Sequence, residues 1–129
     1  MIGILIIAHG PLGETLIQCA THVLGQRPAR ISSVIVAGRG DPDAVYAQVE
    51  RLVPELNDGS GVLILTDMIG ATPSNVAARA LIPGQVEAVS GVNLPMLIRA
   101  LTYRGQPLAT AIEKAVSGGQ DGVSRLTGA

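Results

Sequence analysis

Short apolar runs along this chain alternate with segments in which apolar residues recur at every third or fourth position. The runs predict four strands, which cover residues 2–8, 30–37, 62–66 and 86–90. Strands that alternate with helices indicate a parallel sheet with helices on both faces. The pattern therefore predicts an α/β fold, in which residues 1–129 form a single domain with an open, mostly parallel sheet.

Five segments with helical spacing of apolar residues separate or follow these strands. They predict helices over residues 12–24, 42–56, 73–81, 94–101 and 108–116. Asp41, Thr72 and Asn93 are the predicted N-caps, and proline follows each of the first two at the first helical position. The glycine-rich residues 118–122 are expected to be flexible. Residues 123–127 suit a short antiparallel edge strand.

Polar residues collect in the loops that follow the predicted strands. His9 ends the first strand, Asp67 follows the third, and residues 91–93 follow the fourth. The carboxyl ends of parallel strands meet at one edge of a sheet, where ligands bind in open α/β folds, so these loops are expected to lie together. The loop after the second strand adds Arg39, which suits either anion binding or an ordinary solvated position.

His9 and Asp67 are the candidate catalytic residues. A carboxylate bonded to one ring nitrogen fixes the tautomer of an imidazole, and the other nitrogen then keeps a free lone pair. The carboxylate also stabilises the positive charge that develops when this nitrogen attacks. The alternative is structural: His9 is a polar residue at a strand end, and Asp67 caps the loop that leads to Gly70.

Two predicted helix N-termini face the same edge and offer N–H groups to an anion. The N–H groups of Ser74 and Asn75 suit a phosphate together with the Thr72 hydroxyl, and the helix that starts after Gly10 adds further donors. These four residues are the candidate phosphate-binding residues, although Thr72 is equally well explained as a helix cap.

Four apolar residues follow His9 or Asp67 closely in the sequence and are expected near His9: Pro11, Leu12, Met68 and Ile69. These side chains suit either the docking of a partner protein or burial in the core.

Composition excludes several classes of function. With no Trp, no Phe and a net charge of −1, the chain lacks the aromatic and basic surface of a nucleic-acid-binding protein. It has no P-loop and no GxGxxG, and two His with the single Cys19 argue against a zinc site. The first apolar run is too short to span a bilayer. We expect a soluble cytoplasmic protein without metal or cofactor, nucleic-acid binding or direct membrane insertion.

Three segments carry a resemblance to a known family. They are Ala8-His9-Gly10, the loop TDMIGATPSN over residues 66–75, and GVNLPML over residues 91–97. Together they resemble the IIA component of the mannose-type phosphoenolpyruvate-dependent sugar phosphotransferase system. The resemblance extends along almost the whole chain, with matching order and spacing.

The resemblance implies a cytoplasmic α/β phosphotransferase domain whose histidine is transiently phosphorylated. His9 matches the phosphorylated histidine, Asp67 the aspartate that bonds its ring, and Thr72 a hydroxyl residue near the phosphate. The phosphoryl group arrives from the histidine-containing phosphocarrier protein and leaves to a IIB component. Family members are commonly homodimers that exchange a C-terminal strand, which residues 123–127 match here.

The family loop usually carries two successive glycines, and the second of them is Ala71 in this chain. Alanine adopts a positive φ less readily than glycine, so the loop backbone is expected to differ. Three other functions stay open: the phosphotransfer subunit of a phosphoenolpyruvate-dependent dihydroxyacetone kinase, a regulatory module that signals through its phosphorylation state, and a flavodoxin-like ligand-binding domain without phosphotransfer.

Overall fold

The computed structural model describes residues 1–38 and 40–128. Within these residues, strands and helices alternate, and two helices follow the last strand: β1 (Gly3–His9), α1 (Leu12–Leu24), β2 (Ile31–Val36), α2 (Pro42–Leu56), β3 (Val62–Thr66), α3 (Thr72–Ala80), β4 (Val86–Val89), α4 (Leu94–Tyr103) and α5 (Leu108–Asp121).

The four strands form one parallel sheet in the order β2-β1-β3-β4. The predicted open parallel α/β fold is therefore confirmed. The two central strands are β1 and β3, which pair in a register that sets Ile7 opposite Thr66. Their carboxyl ends, and the residues that follow them, consequently lie side by side.

The sheet separates two hydrophobic cores, because successive side chains of a strand point to opposite faces. Ile4 and Ile6 of β1 pack with α1, α4 and α5, whereas Leu5 and Ile7 pack with α2 and α3. All four side chains are fully buried. Burial on both faces explains why the strand is a continuous apolar run in the sequence.

Helix α5 is longer than the sequence indicates. It continues to Asp121 instead of ending near residue 116, so the predicted end of the helix is wrong. Residues 118–121 of the glycine-rich segment are helical, and Gly122 is the C-cap. The glycines lie against α4: a Cβ atom on Gly118 would be 2.7 Å from the Cβ of Arg99, and one on Gly119 would be 2.7 Å from the Cε of Met96. Close packing of the two helices outweighs the low helix propensity of glycine.

Two of the three predicted N-caps are confirmed. The Asp41 carboxylate accepts a hydrogen bond from the N–H of Asp43, and the Asn93 side chain accepts one from the N–H of Met96. The third prediction is wrong by one residue, because the extended residue Ala71 is the N-cap of α3 and Thr72 is already helical.

Within the described part of this single chain, residues 123–128 form no strand. The apolar side chains of Val123 and Leu126 are exposed there. Exchange of this segment with a second copy remains a prediction. Among the described residues, no helix combines the length and apolar character needed to cross a membrane.

The amino-terminal edge of the sheet is closed by Arg104, which is only 8% exposed. Its guanidinium donates hydrogen bonds to the carbonyl oxygens of Ile2, Ala29 and Arg30. These contacts join the end of α4 to the starts of β1 and β2, at the edge opposite His9.

Candidate active site

His9 and Asp67 meet at the carboxyl edge of the sheet. His9 is the last residue of β1, and Asp67 directly follows the neighbouring strand β3. The Oδ2 atom of Asp67 accepts a hydrogen bond from the backbone N–H of His9 at 2.9 Å and lies 2.8 Å from the Nδ1 atom of the ring. The pair predicted from the sequence therefore exists as a direct contact.

The Asp67 carboxylate is held at both oxygens, since Oδ1 accepts the N–H of Met68 at 2.8 Å. Burial acts to raise the pKa of Asp67, but the hydrogen bonds from the backbone and ring of His9 and from Met68 outweigh it. The net result is a pKa below the usual range. Asp67 is consequently ionised at neutral pH. Its Oδ2 atom can therefore only accept in the contact with the ring, and Nδ1 carries the proton that it donates.

This contact leaves the other ring nitrogen, Nε2, as the one with a free lone pair. The His9 side chain is 45% exposed, so its ring is accessible to a second molecule. An oriented and accessible imidazole beside an ionised carboxylate can act as a nucleophile, and the carboxylate stabilises the imidazolium that results.

The loop after β3 tolerates the alanine that departs from the family pattern. Gly70 has a φ of +82°, a conformation that favours glycine, whereas Ala71 has a φ of −95°. Any L-residue adopts the backbone conformation of Ala71. The expected change in the loop backbone is therefore not required by this substitution.

The first turn of α3 brings some of the predicted phosphate donors to the site. The N–H groups of Thr72 and Ser74 lie in that turn, where a helix offers no acceptor of its own, and Pro73 has no N–H. The N–H of Asn75 instead donates to the carbonyl of Ala71 at 3.0 Å. Asn75 thus contributes an exposed side chain rather than a free N–H group.

Gly10 plays a different part from the one expected of a phosphate donor. Its N–H donates to the carbonyl of Val36 at 3.0 Å, so it is occupied by β2 in this structure. The next helix, α1, begins without a side-chain cap. Its first-turn N–H groups, at residues 12–14, are therefore the donors on this side of His9.

Comparison with known proteins identifies the family of this chain. A family model described as "PTS system fructose IIA component" matches residues 3–117, where PTS denotes the phosphotransferase system. The chain belongs to the mannose-type EIIA family of that system. The resemblance drawn from the three sequence segments is confirmed.

Two relatives show how far the similarity extends. The PTS system fructose-specific EIIA component of Bacillus subtilis (strain 168) is 31% identical over 107 residues, which cover 81% of this chain and 71% of that protein. The PTS system mannose-specific EIIAB component of Escherichia coli (strain K12) is 28% identical over 128 residues, or 97% of this chain. The chain spans only 39% of the length of this second relative.

The fold is also that of a solved EIIA structure. The crystal structure of phosphotransferase system component EIIA from Streptococcus agalactiae superimposes with a TM-score of 0.86 at 24% identity. The match covers 97% of each chain.

Exposed apolar side chains occupy the loops that follow His9 and Asp67 and the end of the neighbouring strand β2 in this EIIA chain. We define this apolar rim by these residues: Pro11, Leu12, Ile35, Met68 and Ile69. Burial in the core, one of the two sequence interpretations for all of them except Ile35, is wrong. The exposed fraction reaches 54% at Ile35 and 82% at Ile69.

Ile35 is the member of the rim that sequence reasoning missed, because an apolar residue within a strand was taken for core. The available signal was the pair Ser32-Ser33, which interrupts the apolar run. Such an interruption is typical of an edge strand, and β2 lies at the edge of the sheet.

Two further expectations concern Arg39 and a metal site. Arg39, the predicted anion-binding or solvated residue, lies outside the described residues. Within residues 1–38 and 40–128, no group of three or more His, Cys, Asp or Glu side chains is placed to hold a metal ion.

Proposed function

We propose that this chain is a phosphocarrier of the phosphoenolpyruvate-dependent sugar phosphotransferase system. His9 accepts a phosphoryl group from the histidine-containing phosphocarrier protein and passes it to a IIB component in the cytoplasm. One observation carries the proposal: Asp67 engages Nδ1 of an exposed His9 ring and leaves Nε2 free. Membership of the EIIA family supports the same chemistry.

The transfer step balances without a metal or a proton donor. The lone pair of Nε2 attacks the phosphorus atom and a new P–N bond forms. The P–N bond to the histidine of the donor protein breaks, and its electron pair returns to the donor nitrogen. The donor ring, protonated on its other nitrogen, leaves as a neutral imidazole. The proton on Nδ1 stays in its hydrogen bond to Asp67 throughout. The ring becomes cationic, and the adjacent carboxylate stabilises that charge.

Hydrogen-bond donors at the start of two helices stabilise the negative charge of the phosphoryl group. The first-turn N–H groups of α1 and α3 lie at the same edge as His9, together with the Thr72 hydroxyl. Aligned N–H groups at a helix N-terminus favour an anion. Because phosphoryl transfer depends mainly on position and charge, these donors supply what the step needs.

The apolar rim serves as the docking surface for both partner proteins. A phosphoryl group enters and leaves at the same nitrogen, so donor and acceptor proteins bind in turn around His9. Exposed apolar side chains clustered beside a reactive group mark an interaction surface. A homodimer completes the proposal, and the exposed Val123 and Leu126 support an exchange of the C-terminal segment.

Intact-mass spectrometry tests the proposal. Wild type, His9→Ala and His22→Ala are each incubated with phosphoenolpyruvate, enzyme I and the histidine-containing phosphocarrier protein. His22 is the only other histidine and is exposed on α1, so it is a matched control. We expect one acid-labile phosphoryl group on wild type and on His22→Ala, and none on His9→Ala.

Addition of the IIB component should then remove the group from the phosphorylated protein. The proposal is wrong if wild type takes up no phosphoryl group while a control EIIA protein in the same mixture does. It is also wrong if His9→Ala is phosphorylated as fully as wild type.

A further inference from the structure

The hydroxyl of Thr66 is buried beneath the active-site loop. Thr66 ends β3 and is only 1% exposed, which makes it the most buried polar residue among the described residues, ahead of Arg104 at 8%. A buried hydroxyl is costly unless it finds a hydrogen-bond partner. Thr66 finds one in Ser74 of α3, with 2.7 Å between the two Oγ atoms.

The direction of this hydrogen bond follows from the next contact. The Ser74 Oγ atom lies 2.7 Å from the carbonyl oxygen of Met68, and a carbonyl can only accept. The single proton of the Ser74 hydroxyl is therefore donated to Met68. Thr66 must then be the donor in its contact with Ser74, so the bonds run from Thr66 through Ser74 to Met68.

This series of hydrogen bonds, which we call the relay, leads on to the reactive ring. Met68 is held at its carbonyl by Ser74, and its N–H donates to Oδ1 of Asp67. The other oxygen of that carboxylate holds Nδ1 of His9. These contacts join a buried side chain of β3 to the imidazole. The carbonyl and the N–H of Met68 belong to different peptide units, so Met68 links the two halves of the series by its position.

The loop has open space on one side. Ile69 is exposed, and a cavity of about 150 Å³ opens beside Ser74, lined by small residues that include Ala77 and Ala88. Without the two hydroxyl bonds, the peptide after Met68 has space into which it can shift. Asp67 would shift with it, because its carboxylate takes the N–H of the same residue.

We propose that Thr66 is a positioning residue for the reaction at His9, which acts through Ser74 and Asp67 to hold the ring in the tautomer with a free Nε2. This inference rests on the proposed function, and it assigns the hydroxyl of Ser74 to the loop rather than to the phosphate. A substitution of Thr66 then alters the tautomer of the His9 ring, although Thr66 does not contact the ring.

The direct test is nuclear magnetic resonance of the two ring nitrogens of His9 in alkaline buffer. Thr66→Val keeps the shape and removes the donor, Thr66→Ser restores a hydroxyl, and Ser74→Ala interrupts the relay at its middle. Thr102→Val is the matched control, because that hydroxyl bonds only the carbonyl of Ile98 on the exposed side of α4. The exposed His22 provides a reference signal in the same spectrum.

We expect a single Nδ1–H tautomer of His9 in wild type, Thr66→Ser and Thr102→Val. Thr66→Val and Ser74→Ala should show a mixture of tautomers, with phosphorylation of His9 about tenfold slower than in wild type. Thr66→Ser should recover the rate to within about threefold.

The inference is overturned if Thr66→Val keeps the wild-type tautomer, whatever its melting temperature, because a purely structural role would lower stability alone. Failure of the proposed function has a different signature. In that case wild type takes up no phosphoryl group, while the comparison of ring signals between wild type and Thr66→Val still decides the positioning role.

Discussion

One carboxylate oxygen of Asp67 binds His9 twice, at the backbone N–H and at Nδ1 of the ring. The two contacts fix the main chain and the side chain of the same residue relative to one acceptor. Rotation of the ring about its χ angles would break the bond at Nδ1 but not the bond at the backbone N–H. The position of Nε2 is therefore set by the junction of β1 with β3, not by the side chain alone.

Replacement of Asp67 by asparagine tests this relationship. The amide carries no charge, and either of its orientations sets the NH₂ group against a backbone N–H, that of His9 or that of Met68. We expect phosphorylation of His9 to slow by at least about 10²-fold, because the charge that stabilises the imidazolium is lost and the ring is no longer held in place. Asp43→Asn is the control, because Asp43 lies on α2 and pairs with Arg79. A wild-type rate for Asp67→Asn in the mass assay would contradict the role of the carboxylate.

Acid should remove the stabilisation that Asp67 provides. Its pKa is lower in the folded protein than in the unfolded chain, so the native state binds the proton less tightly. The resulting stability is fully present above the unfolded pKa of about 4, and it declines as the pH falls through the lower folded pKa. Urea unfolding of wild type and Asp67→Asn between neutral and strongly acidic pH measures this contribution.

The difference in unfolding free energy between these two proteins should narrow as the pH falls below about 4. A difference that stays constant down to strongly acidic pH would show that the carboxylate has the same proton affinity in both states.

A charge placed on the apolar rim should weaken docking without altering chemistry. Ile69→Asp introduces a carboxylate where a partner protein has to bury apolar surface, and Val23→Asp makes the same change at the exposed end of α1. We expect Ile69→Asp to raise the KM for the phosphorylated carrier about tenfold or more, with kcat within about twofold. Equal KM values for the two variants would exclude the rim as the docking surface.

The parts of the fold that could be predicted are those in which local pattern and tertiary structure agree. Strand β3 matches its predicted bounds because residues 62–66 are buried on both faces, which makes residues 62–65 a continuous apolar run that ends at Thr66. The contact of His9 with Asp67 follows from parallel topology, since both residues come at the ends of adjacent strands. The caps Asp41 and Asn93 act through short side chains that bond their own helix.

The parts that could not be predicted depend on contacts made across the molecule. Gly118 and Gly119 disfavour a helix locally, and only their fit against α4 explains why α5 continues through them. A shift of one residue at the start of α3 decides that the N–H of Asn75 is paired inside the helix. The relay from Thr66 to Met68 likewise requires the packing of α3 on β3, which no local pattern specifies.

Alanine at Gly118 tests the packing of the last two helices. A Cβ atom there would lie 2.7 Å from the Cβ of Arg99, which is too close to the backbone to move aside. We expect a loss of about 1–3 kcal/mol in unfolding free energy, although alanine has the higher helix propensity. Gly105→Ala meets no atom within 4 Å and should leave stability nearly unchanged. Equal urea midpoints for the two variants would contradict this close approach.

Arg104 should stabilise the fold without affecting the reaction at His9. Replacement by methionine keeps much of the apolar stem but removes the guanidinium donors from the carbonyl oxygens of Ile2 and Ala29. The carbonyl of Arg30 loses one of two donors, because it also accepts the N–H of Ile4. Because these bonds involve a charged, buried group, we expect a loss of about 3 kcal/mol or more in unfolding free energy. Arg51→Met, at an exposed position on α2, is the control.

Phosphorylation of His9 in the folded Arg104→Met protein should proceed at close to the wild-type rate, since Arg104 and the His9 ring lie at opposite edges of the sheet. A reduced rate at a temperature where the variant is fully folded would show that the two edges are coupled through β1. In that case the geometry of His9 would depend on the contacts of Arg104 at the start of β1 as well as on the contact with Asp67 at its end.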